Sequence, residues 1–70
     1  MRITINGTIK DIDSTENSLN LASLIKQLGH QPRLIVVEYN GTILTPQRWE
    51  EQKINDGDNL EIVTIVGGGS

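Results

Sequence analysis

Ile3 and Ile5 alternate with Arg2, Thr4 and Asn6, the period-two pattern of a half-buried strand. Asn6-Gly7 follows, a two-residue hairpin signal because both residue types tolerate positive φ. Thr8 to Ile12 is expected to return as the second strand. Its register stays open, because Ile9 and Ile12 have opposite parity and cannot both face inward on a regular strand. The period then changes. Leu21, Leu24, Ile25 and Leu28 fall at i, i+3, i+4 and i+7, one apolar stripe on a helix over about residues 19–28. Ser18 or Asn20 can cap its start, Gly29 suits the left-handed position beyond its end, and Pro32 blocks continuation. Leu34 to Tyr39 is rich in β-branched residues and predicts a central strand.

Asn40-Gly41 repeats the hairpin signal before a short strand at Thr42–Leu44. Thr45-Pro46 predicts a short helical turn reaching Trp49 or Glu50. Ile54 to Asp58 has turn chemistry, and Leu60 to Val66 reads as the last strand. One helix among these strands implies an α+β fold, with a single mixed sheet packed on that helix. The hairpins supply antiparallel pairs, and the first and last strands can lie side by side in parallel at the centre. Parity and stripe place Ile3, Ile5, Leu21, Leu24, Leu28, Val37, Tyr39, Leu60 and Ile62 in the core. The same parity turns Val36, Val63 and Ile65 outward as an apolar patch, the kind of surface that marks an interaction site.

Composition narrows the function classes. Seventy residues make one domain, a size that buries only about 60% of its unfolded surface. The expected division is a domain at 1–66 and a tail at 67–70. There is no cysteine, hence no disulfide framework, thiolate metal site or thiol nucleophile. No apolar signal core or membrane-length run is visible, which reads as a cytoplasmic protein. A net charge of −3 argues against nucleic-acid binding, which needs a basic face.

Candidate chemistry within the body is thin. Asn-Gly-Thr-Ile occurs at 6–9 and again at 40–43; the flanks differ, so this is turn chemistry selected twice. The Asn-x-Thr pattern of glycosylation lacks a secretory signal to support it. Asp56-Gly57-Asp58 offers too few ligands for calcium and reads as a turn. His30, the single histidine, has no nucleophile pattern around it and suits a helix end. Trp49 and Tyr39, the only aromatics, suit packing better than base stacking, and Glu50-Glu51 a solvated charge pair. Nothing supports catalysis by the chain itself.

The end of the chain is different. Gly67, Gly68 and Gly69 precede Ser70. A strand without side chains can thread a channel closed to any other residue, and four extended residues reach roughly 13 Å.

Taken together, Asn6-Gly7, Leu28-Gly29, Asn40-Gly41, Trp49, Asp56-Gly57-Asp58, the strand at 60–66 and Gly68-Gly69 resemble the ubiquitin-like sulfur carrier family. Within it the nearest group is the thiamine-biosynthesis carriers, ThiS, and the resemblance spans essentially the whole chain. The molybdopterin-synthase small subunits are similar but longer and richer in aromatics, whereas this chain has no Phe.

The resemblance implies a β-grasp fold with sheet order 2-1-5-3-4. It also implies a carrier rather than an enzyme. A partner adenylating (E1-like) enzyme uses ATP and magnesium to activate the C-terminal glycine carboxylate. Sulfur originating from cysteine, supplied by a donor such as a cysteine desulfurase, then leaves a thiocarboxylate. Thiazole synthase accepts that sulfur. The carrier itself holds no cofactor. Val36, Val63 and Ile65 would then dock the partner. Carriage to molybdopterin or cysteine synthesis, attachment to lysines as a ubiquitin-like modifier, and a plain binding module are the alternatives.

Ser70 departs from the pattern, because family members end at the second glycine, here Gly69. One extra residue moves the carboxylate about 3.5 Å, more than near-attack geometry tolerates. The expectation is that a peptidase removes Ser70, or that the natural chain stops at Gly69; the first is favoured because a one-residue cloning remnant is unusual.

Overall fold

A computed structural model describes residues 1–12 and 19–65. Strands β1 (Arg2–Ile5), β2 (Thr8–Asp11), β3 (Ile35–Tyr39), β4 (Thr42–Leu44) and β5 (Asn59–Thr64) form one sheet in the order β2-β1-β5-β3-β4. Helix α1 (Leu21–Gln27) and 3₁₀ turns at Pro32–Leu34 and Pro46–Arg48 complete the elements. β1 and β5 pair in parallel at the centre, and the other neighbours are antiparallel. The expected β-grasp order and the parallel first and last strands are both present.

Both hairpins turn on Asn-Gly. Asn6 and Gly7 have φ of 52° and 82°, and Asn40 and Gly41 have 49° and 89°. Positive φ at both central residues belongs to the mirror-image turn whose twist matches that of the flanking strands. The first turn sets Thr4 opposite Ile9, which settles the open register. Ile9 faces out and Ile12, just past β2, is buried.

The helix is shorter than the 19–28 expected, and its ends explain why. Asn20 is the cap, accepting from the Ser23 N–H at 2.8 Å; Ser18, the other candidate, lies outside the described residues. The Leu21 and Ala22 N–H groups donate to the Gln52 and Trp49 carbonyls at 2.8 and 3.2 Å. The donors that a helix start leaves without intrahelical partners are thus met partly by the segment that follows β4. At the other end, Gly29 (φ 83°) follows the cap residue Leu28. The Gly29 N–H donates to Lys26 and the His30 N–H to Ile25, a Schellman ending. His30 therefore has the helix-end position expected of it.

The core lies between the sheet and α1. Of the residues expected there, Ile3, Ile5, Leu21, Leu24, Val37, Leu60 and Ile62 are buried, whereas Leu28 and Tyr39 are only partly covered. Leu28 sits at the helix cap, and Tyr39 reaches past the core edge to polar partners. Ile12, Leu19, Ile25, Ile35, Trp49 and Ile54 are also buried. Trp49 fills the space beside the helix start and donates its indole N–H to the Leu44 carbonyl at 2.9 Å. Leu19 and Ile54 are joined through backbone, the Ile54 N–H donating to the Leu19 carbonyl at 2.8 Å.

Candidate functional site

β5 carries the chain toward the glycines, so its anchoring decides what holds the root of the tail. On one side β1 pairs Thr4 and Ile5 with Asn59 and Leu60 and then turns away. Asn6 continues the contact. Its backbone N–H donates to the Leu60 carbonyl at 2.9 Å. Its side-chain Nδ2 donates to the Ile62 carbonyl at 3.1 Å, and its Oδ1 accepts from the Ile62 N–H at 2.7 Å. One amide therefore stands in for the next rung of a parallel ladder. On the other side β3 pairs with β5 as far as Ile35 opposite Thr64. The Ile65 N–H then donates to the Leu34 carbonyl at 2.6 Å. The chain is held from both sides to Ile62 and from the β3 side to Ile65. The expectations for Gly67, Gly68, Gly69 and Ser70, and the boundary after residue 66, lie outside the described residues.

The start of β5 is fixed by a buried carboxylate. Asp58 Oδ2 accepts from the Tyr39 hydroxyl at 2.6 Å and from the Asn55 N–H at 2.7 Å. Asp58 Oδ1 accepts from Asn40 Nδ2 at 3.2 Å, while Asn40 Oδ1 accepts from the Asn59 N–H at 2.8 Å. Partial burial, then the hydrogen bond to Asp58 and its negative charge, push the Tyr39 phenol above its ordinary range. Asp56 Oδ1 accepts from the Arg2 N–H at 2.6 Å. Asp56-Gly57-Asp58 is the expected turn, and its carboxylates join β1, β3 and β5. No group of three or more His, Cys, Asp or Glu able to hold a metal occurs among the described residues.

The sheet face away from α1 carries the expected patch. Val36 stands opposite Val63 on β3 and β5. Val63 and Ile65 are 59% and 47% exposed, and Val36 is half-buried. Two further apolar residues share this face. Ile43, 62% exposed, lies opposite Glu38, and Ile9, 65% exposed, lies opposite Thr4. Sequence reasoning missed both, although the Asn-Gly turns carry the signal: a two-residue loop fixes the pairing and hence the face of each neighbour.

With this geometry in place, comparison with known proteins decides the family. The model of the ThiS family matches residues 3–69. The chain belongs to the ThiS family. It is similar to the sulfur carrier protein ThiS of Bacillus subtilis, 30% identical over 67 residues that cover 96% of this chain and 98% of the relative. It is also 36% identical over its entire length to a thiazole synthase of Paramagnetospirillum magneticum, of which it spans 21%. Among solved structures, the crystal structure of the thiamine biosynthesis protein ThiS from Geobacter metallireducens superposes with a TM-score of 0.82. That likeness comes at 33% identity and covers 99% of this chain and 100% of that one. The five-stranded sheet with one helix is thus the ThiS β-grasp. No helix among the described residues is long and apolar enough to cross a membrane.

Proposed function

We propose that this ThiS-family chain carries sulfur as a thiocarboxylate on Gly69 and donates it to thiazole formation in thiamine biosynthesis. The observation that carries this reading is the family match itself, which runs through the last strand to Gly69. Two further observations support it. A thiazole synthase contains a stretch similar to this whole chain, which favours thiazole assembly over other sulfur acceptors. β5, the strand that leads to the glycines, lies in the middle of the sheet and is anchored to Ile65, so partners would meet the tail at a fixed point.

The chemistry needs no catalytic side chain from the carrier. A carboxylate is a poor electrophile. An oxygen of the Gly69 carboxylate attacks the α-phosphorus of ATP on the adenylating enzyme, with magnesium on the phosphates, and pyrophosphate leaves. A sulfur nucleophile originating from cysteine attacks the acyl carbon of the resulting mixed anhydride. AMP departs with the bonding pair; where the nucleophile is a persulfide, a thiol reductant then cleaves the S–S bond of the acyl disulfide so formed, and the thiocarboxylate remains. The chain acts as carrier and substrate, with its partners supplying the catalysis.

Gly69 is joined to Ser70, so its carboxyl is an amide until that bond is hydrolysed. Cutting after Gly69, by a peptidase, precedes activation in this scheme. The test compares two purified forms, one ending at Ser70 and one at Gly69, each given the adenylating enzyme, ATP and magnesium. AMP-adduct formation confined to the Gly69 form is the expected result. Equal adduct formation by both forms would remove Gly69 as the activated residue.

A further inference from the structure

In the middle of the outer sheet face, the β3–β5 register sets Glu38 directly opposite Glu61. Facing residues on antiparallel strands hold their Cβ atoms roughly 5 Å apart, and like charges there work against the sheet. Among the described residues no ion pair neutralises these two carboxylates. All six Lys and Arg residues lie among the described residues, and the only ion pair there joins Arg2 to Asp11 at 3.2 Å. Asn6, beside β5, commits its amide to the Ile62 backbone. Asn6, Asn40 and Asn59 flank the glutamates on one side, and the neighbours on the other are apolar. Val36 faces Val63 on one side, and Ile43 faces Glu38 across β4.

We propose that this face docks a protein partner through an arginine whose guanidinium bridges Glu38 and Glu61, with apolar partner side chains against Val36, Ile43 and Val63. The proposal rests on the carrier reading and names the chemistry that the partner must bring. A planar guanidinium has donors on several edges and can engage two carboxylates together, and it is more weakly hydrated than an ammonium. Arginine beside apolar contacts is also the composition of energetically dominant interface sites. A second copy docked face to face would add its own glutamates to these, because a two-fold contact places the same patch on both sides. A lone divalent cation would find two carboxylates where calcium takes six to eight oxygens.

The test replaces both carboxylates with their neutral isosteres, Glu38→Gln with Glu61→Gln. Titration calorimetry measures binding of the full chain to the adenylating enzyme at low and high salt. AMP-adduct formation by the form ending at Gly69 is followed in parallel. The expected result is binding weakened tenfold or more at low salt, with a shallower salt dependence. The melting temperature should be equal or higher, since the repulsion is gone and a misfolded variant is thereby excluded. A further variant, Glu38→Arg with Glu61→Arg, should bind more weakly still. If the unsubstituted form ending at Gly69 is adenylated but the glutamine variant binds equally well, the arginine bridge is wrong and the carrier reading stands. Sedimentation showing a dimer sealed through this face would also overturn the bridge. If the unsubstituted form ending at Gly69 neither binds nor is adenylated, the carrier reading fails and the bridge fails with it.

Discussion

On the helix side of the sheet, Ile3, Val37 and Leu60 are sealed at 1%, 0% and 0% exposure; on the opposite side, Val63 and Ile43 stand at 59% and 62%. Neighbouring residues on the same strands supply both faces, so backbone propensity cannot account for the difference. The centre of the inner face is apolar and packs against α1 and Trp49, while Lys10, Thr8, Thr42 and Thr64 lie at its margins. The outer face mixes valine and isoleucine with two glutamates that no ion pair among the described residues neutralises. The inner face meets the demands of folding. The outer face carries features that weaken an isolated domain, exposed apolar surface and facing like charges, which is the pattern expected of a surface completed by a partner.

That contrast can be broken by substitution. The largest effect belongs to the inner layer. Leu24 is fully buried, and Leu24→Ala should destabilise the fold by about 2–5 kcal/mol, measured by denaturant unfolding. An unchanged midpoint would show that the stripe is not what holds the helix to the sheet. Next comes Asp58→Ala at the start of β5. It leaves the Asn55 N–H and Asn40 amide without their acceptor, and should cost about 1–3 kcal/mol. A neutral outcome would mean that water replaces the carboxylate freely.

The Tyr39 phenol gives a pH-dependent version of the same test. Its pKa is raised in the fold, so the unfolded chain ionises first. Its contribution to stability is complete below pH 10.0, the ordinary tyrosine value, and is lost as pH rises through the higher folded value. Tyr39→Phe should make alkaline unfolding less steep, as followed by circular dichroism against pH. A superimposable pH curve would contradict the pairing with Asp58.

The smallest stability effect is expected on the outer face. Val63→Asp should change stability by no more than about 0.5 kcal/mol, yet weaken binding to the adenylating enzyme. A folded variant that binds normally would remove the patch from the account.

Period and turn chemistry made most of this architecture legible in advance. Ile3 and Ile5, the stripe from Leu21 to Leu28 and the Asn-Gly pairs each act locally, so the strands, the helix and the hairpins could be read from short windows. What escaped was whatever depends on packing between distant segments. Leu19 and Ile54 lie in irregular chain with no period to expose them; both belong to the core, and their backbones bond to each other. At the helix start, Leu21 and Ala22 are tied to Gln52 and Trp49, and at its end Gly29 closes the last turn after Leu28. Val36, Val63 and Ile65 followed from parity alone. The facing of Glu38 and Glu61 needed the β3–β5 register, which no local signal contains. The clamp from Asn6 onto Ile62 was hidden for the same reason, since its two residues are 56 positions apart.

The central claim concerns the carboxylate of Gly69, and intact mass tests it most directly. The form ending at Gly69 is incubated with the adenylating enzyme, ATP, magnesium and a cysteine-derived sulfur source, and then weighed. The account predicts a gain equal to exchanging one oxygen for one sulfur, located on the C-terminal glycine by fragmentation. An unchanged mass in the presence of an enzyme active on its own carrier, or attachment of the glycine to lysine side chains, would contradict it.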